Sequence, residues 1–454
     1  MSGVQTLWSP LPAQLDYRSR LLVRQLRALK DDTGLSLAGL SARTHYSRAS
    51  WERWLNGKRM ITAQALTAFA EVAEVDAARL ISLLNEARSG PGNVNTALPE
   101  RDGGEQPPAG RLHVRPAARI AQLPAGVQNF TGRGTQLHAV TGAVTAQRLG
   151  PGQVPVAIVS GSCGTGKTAL ATHVAHGAAG CFPDGTLYAD LRGSTPDPRD
   201  PADVLAEWLL ALGEPAQWIA PSVDCRSARL RDRLHGRRIL VLLDDARDSR
   251  QVRPLLPAAE SCAVLVTSRR RLADLVIGEH FELGPLPDPE ARTLLETIVG
   301  TERMLAEPVA AKEILAACAG LPLALRIAGT RLSTRPAWTV RSLAARLADP
   351  RRLLDELVLG DLSVRAGLRA SYALLPATGS PLSPRDALGL LAGVPRPQVS
   401  LPDAAVVFGT SESAAERLLD TLLDAHLVDE VAAGWYRLHS LTRLFAAEAA
   451  GAGA

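Results

Sequence analysis

The feature that most constrains this chain is a glycine-rich run that ends in lysine and threonine. Residues 161–168, GSCGTGKT, fit the spacing GxxxxGK[ST], with a strand-like run before them at 156–159 and a helical pattern after them. Glycines in such a loop let backbone N–H groups wrap phosphate oxygens at a helix N-terminus, where the helix dipole favours negative charge. The sequence therefore predicts a phosphate-binding loop.

The residue types in this loop predict a nucleotide and a metal ion. We expect Lys167 to reach the β- and γ-phosphates and the Thr168 hydroxyl to ligate Mg²⁺. The predicted ligand is ATP or ADP with Mg²⁺. The residues expected to contact it from the loop and the following turn are Gly161, Gly164, Gly166, Lys167, Thr168 and Ala169.

A second motif, ILVLLDD at 239–245, supplies carboxylates after an apolar run. A buried strand that ends in Asp244 would bring this carboxylate beside the loop as a direct or indirect metal ligand. Asp245 could orient or activate a water, and Asp244 and Asp245 are the candidate catalytic residues. Because no glutamate base is evident, we expect at most a slow ATPase that serves as a switch.

Apolar runs alternate with helical patterns from 125 to 287, which predicts an α/β core with a parallel sheet. The predicted strands are VPVAIVSG, TLYADLRG, RRILVLLDDA, CAVLVTSRR and HFELGPL. The fold is predicted to be multidomain, with an all-α head at 15–88 and a flexible, Gly/Pro-rich linker at 89–124. A helical domain is predicted at 288–375, and helices followed by a hairpin and a last helix at 383–450.

The order of the shorter motifs is specific. FTGRG at 130–134 precedes the phosphate loop, and LYADLRG, VLLDDA, VLVTSRR, GLPLAL and YRLHSLTRLFA follow in that order. This series resembles the NB-ARC ATPases of the STAND class, and among them the actinobacterial regulators, over about residues 120–450. The resemblance implies a winged-helix domain at 383–450 and a nucleotide state that controls opening and oligomerisation.

The resemblance also implies four further nucleotide contacts. Arg133 would lie near the nucleotide, and Arg269 would sense the γ-phosphate. Pro322 would pack on adenine, and His439 would hold the ADP β-phosphate in a closed state. Each of three residues also has a plainer interpretation. Arg269 could be a solvated loop arginine, Pro322 could only end a turn, and His439 could be a structural histidine.

At two positions the chain departs from the family's pattern. Gly134 follows Arg133 where an acidic residue is usual. Ser440 follows His439 where the family often has aspartate. The second difference bears on how firmly the closed state is latched.

The segment TGLSLAGLSARTHYSRASWERWLNGKR at 33–59 resembles a phage-repressor-like helix-turn-helix. Residues 47–56 would be its recognition helix. Residues 43–59 carry five Arg or Lys against one Glu, and 5 − 1 = +4 equals the formal net charge of the whole chain. Outward arginines can meet guanine edges, and basic residues at the helix end can meet phosphates. The predicted DNA-contacting residues are Ser47, Arg48, Ser50, Arg53, Lys58 and Arg59; a solvated basic face is the alternative.

A second helix that could enter a DNA groove is predicted at 411–426. It carries four acidic residues against one arginine, and 1 − 4 = −3. DNA phosphates would repel that surface. We therefore expect the C-terminal domain to be a lid on the nucleotide and not a DNA reader.

These expectations favour one hypothesis of function. It is an ATP/ADP-switched transcriptional regulator that binds double-stranded promoter DNA and self-associates in the ATP state. The alternative is an immune-like or signalling assembly platform whose head recruits a partner or foreign nucleic acid; a plain nucleotide-hydrolysing enzyme is third. No apolar run approaches the ~18 residues that span a bilayer and no secretion signal is visible, so we expect a cytoplasmic protein without a membrane partner.

Overall fold

The computed structural model describes residues 17–44, 46–73, 120–146, 153–377 and 382–451, with single positions near the N-terminus and around residue 80. The chain divides into two units, 1–112 and 113–454. Most of the predicted linker, residues 89–119, lies outside the described residues.

The first unit is helical, as predicted. A serine caps each of two short helices: Ser36 Oγ accepts from Gly39 N, and Ser47 Oγ accepts from Ser50 N. Trp51 is fully buried, and its Nε1 donates to Thr44 Oγ1 at 2.8 Å. The helices are α1 (Tyr17–Asp32), α2 (Leu37–Arg43), α3 (Arg48–Leu55) and α4 (Ala63–Ala73).

The second unit contains a six-stranded sheet in the order β1-β3-β4-β5-β2-β6, with every pair parallel. The five strands predicted from apolar runs are confirmed as β2 to β6. The strands are β1 (Ile120–Ala121), β2 (Val156–Ser160), β3 (Gly185–Asp190), β4 (Ile239–Ala246), β5 (Ala263–Ser268) and β6 (Glu279–Glu282).

Strand β1 corrects the boundary at residue 125. Ile120 and Ala121 pair with β3 inside the segment predicted as linker, so the sheet begins before that segment ends. A strand of two residues is too short to produce an apolar run or an alternation in the sequence.

Side chains alternate along each strand, so that apolar strands present an apolar surface on both faces of the sheet. Helices cover both of these faces. On β2, Ile158 packs in one apolar layer, and Ala157 and Val159 pack in the other. The helices are α5 (Gly134–Thr145), α6 (Lys167–Gly177), α7 (Pro201–Ala211), α8 (Val223–Leu234) and α9 (Ser249–Val252). The carboxyl ends of β2, β4 and β5 meet at one edge, and the candidate site is built there.

The segment after the sheet is mainly helical, with one difference from the prediction. A two-stranded hairpin, β7 (Val358–Leu359) and β8 (Leu362–Ser363), interrupts it, again with strands too short to be predicted. Its helices are α10 (Asp288–Val299), α11 (Thr301–Ala306), α12 (Pro308–Cys318), α13 (Pro322–Ser333), α14 (Val340–Leu347), α15 (Pro350–Glu356) and α16 (Val364–Ala373).

The last segment combines four helices with a three-stranded antiparallel sheet in the order β10-β11-β9. The predicted hairpin and last helix are present, and the strand β9 was not predicted. The elements are α17 (Pro384–Ala392), β9 (Gln398–Ser400), α18 (Leu401–Phe408), α19 (Glu412–Asp424), β10 (Asp429–Ala432), β11 (Trp435–Arg437) and α20 (Ser440–Gly451). Within the described ranges, none of the helices combines the length and apolarity needed to cross a membrane.

Candidate nucleotide site and candidate DNA interface

The glycine-rich loop connects β2 to α6 in a conformation that requires glycine. Gly161 lies so close to β6 that a Cβ there would be 2.3 Å from Leu283 O. Gly166 caps α6 with φ +91°, a backbone conformation that side chains disfavour. The loop therefore ends at the N-terminus of an 11-residue helix, the arrangement that binds phosphate.

Lys167 is buried within the loop. Its Nζ donates to Gly161 O at 2.9 Å and to Ser162 O at 2.7 Å. Burial lowers the pKa of Lys167 to about 8, and the positive charge of Arg269 adds to the shift. An anion bound at the loop would favour the charged ammonium form.

Thr168 and Asp244 form the centre of the candidate metal site. Thr168 Oγ1 donates to Asp244 Oδ1 at 2.8 Å, and the buried Thr267 hydroxyl donates to the same oxygen. Burial raises the pKa of the Asp244 carboxyl, against the hydrogen bonds from Thr267 and Thr168. A hydroxyl and a carboxylate side by side are oxygen ligands of the kind Mg²⁺ takes, with nucleotide phosphates completing its shell. The donor set fits the metal implied by the motif.

The Asp245 carboxylate already has partners on both oxygens. Its Oδ2 accepts from Ser194 N at 2.9 Å and from Ser194 Oγ at 2.7 Å. Its Oδ1 lies 3.5 Å from Arg269 Nε in an ion pair, and its backbone has φ +51°. In this state Asp245 orients Arg269 and the loop after β3. Sequence reasoning did not identify Ser194, which lies on that loop outside any recognised motif.

Arg269 connects the end of β5 to the helical segment. Its Nη1 donates to Gly367 O on α16 at 2.8 Å. A Cβ at Gly367 would lie 3.2 Å from Cys163 Sγ, so α16 packs directly on the phosphate loop. No sequence motif indicated Gly367, because both of its partners, Arg269 and Cys163, lie about 100 or more positions away in the sequence.

Pro322 is placed beside the loop by the helix that it begins. It occupies the first turn of α13, where a missing N–H costs nothing. The next residue, Leu323, donates its N–H to Gly164 O at 3.1 Å. The structure thus brings the GLPL segment against the phosphate loop.

His439 lies near the loop and bonds to the helical segment. Its Nε2 donates to Ala319 O at 3.1 Å, and its Nδ1 accepts from Leu441 N at 3.3 Å, so the neutral ring with its proton on Nε2 makes both bonds. Burial lowers the pKa of His439. His439 and Ser162 both line one small cavity of about 20 Å³.

Arg133 lies behind the loop. Its guanidinium Nη2 donates to Thr165 O at 3.4 Å and to Gly284 O. Its backbone N–H donates to Glu290 Oε2 at 3.1 Å. These bonds connect Arg133 to the phosphate loop and to the first turn of α10. Sequence reasoning did not identify Glu290.

The C-terminal segment docks on the sheet next to β6. Arg271 N donates to Asp424 O at 3.1 Å, and Arg271 Nη2 lies 3.2 Å from Glu282 Oε2. The buried His426 Nδ1 lies 3.3 Å from Glu282 Oε1. The hydrogen bond from His426 is the main reason that the pKa of Glu282 falls to about 2.

In the separate helical head, α3 turns its basic side chains to solvent. Trp51, Trp54 and Leu55 on the opposite face are buried. The predicted DNA-contacting residues lie outward: Ser47, Arg48, Arg53, Lys58 and Arg59 are exposed and Ser50 is half-buried. The two serines also have a structural role, since Ser47 Oγ caps α3 by accepting from Ser50 N.

The charge of α19 is the opposite. Its four acidic side chains are all exposed: Glu412, Glu416, Asp420 and Asp424. The helix end also carries the docking contact to Arg271. The exposed charge of α19 is therefore opposite in sign to that of the candidate DNA interface on α3.

Two domain models and two curated regulatory proteins match this chain. A helix-turn-helix domain model matches residues 21–83, and an NB-ARC domain model matches residues 139–305. The regulatory protein AfsR of Streptomyces coelicolor is 45% identical over 331 residues, which cover 72% of this chain and 33% of that protein. AfsR of Streptomyces griseus is 46% identical over 334 residues, with the same two coverages. The chain thus spans about a third of the length of these relatives.

Solved structures are more distant. The Walker-type ATPase of Pyrococcus abyssi aligns with a TM-score of 0.44 and 13% identity, over 71% of this chain and 97% of that one.

Proposed function

We propose that this chain, which belongs to the NB-ARC P-loop ATPases and carries an N-terminal helix-turn-helix domain, is a transcriptional regulator switched by ATP and ADP. The observation that carries the proposal is the exposed basic face of α3, with Arg48 and Arg53 on a helix fixed by buried tryptophans. Such a face suits entry into the major groove of double-stranded DNA. The regulatory AfsR relatives, whose alignments cover 72% of this chain, support the same class of function.

The nucleotide would bind at the N-terminus of α6. Lys167 would exchange its loop carbonyls for phosphate oxygens, and Thr168 with Asp244 would hold Mg²⁺. The metal would neutralise phosphate charge. Because Asp245 is engaged by Ser194 and Arg269, hydrolysis is expected to be slow, which suits a switch.

Arg269 is the proposed sensor of the γ-phosphate. In the present state its guanidinium binds Asp245 and the carbonyl of Gly367. A γ-phosphate would compete for this cation and so release α16 from the phosphate loop. A ligand shifts such an equilibrium only by its differential affinity for the two states, and ADP lacks the group that competes.

The last segment is the proposed lid. We interpret its helices and three-stranded sheet as a winged-helix domain that closes over the nucleotide. His439 would turn its Nε2–H from Ala319 O to the β-phosphate of ADP. The acidic face of α19 and its docking contact with Arg271 favour a role in closure over DNA binding. Opening would then permit self-association and place several heads on one promoter.

The DNA-binding half of this proposal is tested on the full-length protein. Arg48→Ala and Arg53→Ala should each weaken binding to a selected promoter fragment by about 10-fold, since a good arginine–guanine pair contributes roughly 1–3 kcal/mol. Lys58→Ala should weaken all DNA sequences alike and reduce the slope of log K against log salt by about 1. Fluorescence anisotropy at several salt concentrations measures both.

Arg351→Ala is the matched control, because this arginine is exposed on α15 in the other unit. It should bind DNA like the wild type. Binding that is weak, insensitive to salt and unchanged by the α3 substitutions would reject the regulator and favour the assembly platform.

A further inference from the structure

The Glu290 side chain lies so close to Gly132, just before the start of α5, that no side chain would fit at position 132 without displacing it. It lies in the first turn of α10, and its Oε2 accepts from Arg133 N across 157 positions of sequence. A Cβ at Gly132 would be 2.4 Å from Glu290 Oε2 and 2.7 Å from its Cδ. Gly132 also has φ +74°. Glycine at this position is what lets the carboxylate in.

The Glu290 carboxylate binds the backbone N–H of a residue whose side chain is a buried cation. Arg133 is only 5% exposed, and its φ of +64° turns the chain into α5. Burial lowers the pKa of Arg133, and the charge of Glu290 acts in the opposite direction. A buried charge is stable only when it is paired and hydrogen-bonded. The carbonyls of Thr165 and Gly284 accept from the guanidinium, and the nearby negative charge of Glu290 favours its charged form.

Thr165 belongs to the phosphate loop itself. It is buried, it precedes Gly166, and its Oγ1 donates to Ser162 O at 2.9 Å. A cation on the Thr165 carbonyl fixes the orientation of the peptide that joins Thr165 to Gly166. The N–H of that peptide belongs to Gly166, one of the groups available to phosphate at this helix N-terminus.

We propose that Glu290 is a positioning residue for the nucleotide site. Its carboxylate holds the backbone N–H of Arg133, the Arg133 guanidinium holds the Thr165 carbonyl, and the loop is thereby preorganised for phosphate. This inference rests on the proposed binding of a nucleotide at the loop. Because Glu290 belongs to the helical segment, a displacement of α10 would loosen the loop.

A simpler role for Glu290 is that of an acidic residue in the first turn of a helix, where it stabilises the helix dipole. The two roles differ in what they change. A dipole contribution acts on folding alone, and it does not depend on Arg133. A positioning role changes nucleotide affinity and depends on Arg133.

The test is a double-mutant cycle in the full-length protein. We expect Glu290→Gln to raise the Kd for a fluorescent ADP analogue by about 10-fold, because it replaces the charged acceptor of the Arg133 N–H by a neutral one and removes the negative charge near the buried guanidinium. Arg133→Gln should raise it similarly, and the double variant should be no worse than the more affected single variant. Affinity is measured at 10 °C, with circular dichroism to establish that each variant is folded.

Two further variants are measured beside the cycle, one as a control and one as a second way to displace the carboxylate. Glu296→Gln lies on the same helix and removes an i,i+4 pair with Arg292, so it should leave the Kd unchanged. Gly132→Ala displaces the Glu290 carboxylate without removing a charge, and it should weaken ADP binding even if Glu290→Gln fails to fold.

The inference is overturned if Glu290→Gln binds the analogue like the wild type, or if the effects of Glu290→Gln and Arg133→Gln add. Wild-type protein that binds no better than Lys167→Ala would overturn the proposed nucleotide site and this inference with it. Wild-type binding that Lys167→Ala abolishes, with Glu290→Gln unaffected, would overturn this inference alone.

Discussion

Thr168 and Asp244 are 76 positions apart in the sequence, and their side chains meet at 2.8 Å. Motif spacing could predict that pair, because each residue follows an apolar run that a sheet places in a defined position. It could not predict Ser194 on Asp245 or Glu290 on Arg133. Those contacts join a loop or the start of a helix to a segment that is distant in the sequence. No local sequence pattern around either residue predicts its partner.

The Thr168 hydroxyl should make nucleotide binding depend on magnesium. Thr168→Ala removes one oxygen ligand and leaves the buried Asp244 carboxylate with fewer hydrogen bonds. We expect the affinity for ADP in the presence of Mg²⁺ to fall by about 10-fold. Titrations with Mg²⁺ and with a chelator measure the difference.

Thr168→Ser is the control, since it retains the hydroxyl and should retain the magnesium effect. A Thr168→Ala protein with the full magnesium effect would contradict the assignment.

His439 should make the stability of the closed arrangement depend on pH. Its pKa is lowered from the usual 6.5 by burial, so the folded chain binds this proton less readily than the unfolded chain. The contribution of neutral His439 to the free energy of unfolding is therefore complete above pH 6.5. It is lost as the pH falls from 6.5 towards the lower pKa of His439 in the folded chain. Protonation of Nδ1 would also remove the acceptor for Leu441 N.

Between pH 7.5 and 5.5 the Tm of the wild type should fall by roughly 2 °C more than that of His439→Gln. The variant cannot titrate at this position, so it controls for every other group. Identical pH profiles for the two proteins would show that His439 is not buried in solution as it is here.

At the level of elements, apolar runs predicted the strands that carry the site. β2, β4 and β5 are buried throughout or nearly so, and such strands leave runs of four or more apolar residues. The strands β1, β7, β8 and β9 have two or three residues each, which is too short for any periodic signal. Helix α16 was part of a predicted helical domain, but its docking on the phosphate loop depends on the packing of Gly367 against Cys163.

The contact between α16 and the phosphate loop should hold the closed state. Gly367→Val would place a branched side chain where a Cβ alone is already 3.2 Å from Cys163 Sγ. Overpacking of this kind costs about 1–3 kcal/mol, so we expect bound fluorescent ADP to dissociate about 10-fold faster. Stopped-flow displacement with unlabelled ADP measures the rate.

Gly142→Val is the matched control, because a Cβ at this helical glycine meets no heavy atom within 4 Å. It should leave the dissociation rate unchanged. Equal rates for Gly367→Val and the wild type would mean that α16 does not restrain the nucleotide.

At the scale of the whole molecule, a basic head and a nucleotide-binding unit occur in one chain, 1–112 and 113–454. The sequence predicted both from residue spacing and charge. It could not predict the contacts through which Arg269, Arg271 and His439 join the sheet, the helical segment and the last segment. We propose that a γ-phosphate opposes these contacts, and this is the central claim of the switch.

The most direct test of that claim is the affinity of the full-length protein for a selected promoter fragment when it is loaded with ADP or with a non-hydrolysable ATP analogue. Lys167→Ala serves as the control that loses nucleotide binding. We predict that the ATP analogue tightens selective DNA binding at least several-fold over ADP, and that Lys167→Ala abolishes the difference. Equal affinity in the two nucleotide states, with both nucleotides shown to be bound, would contradict the switch.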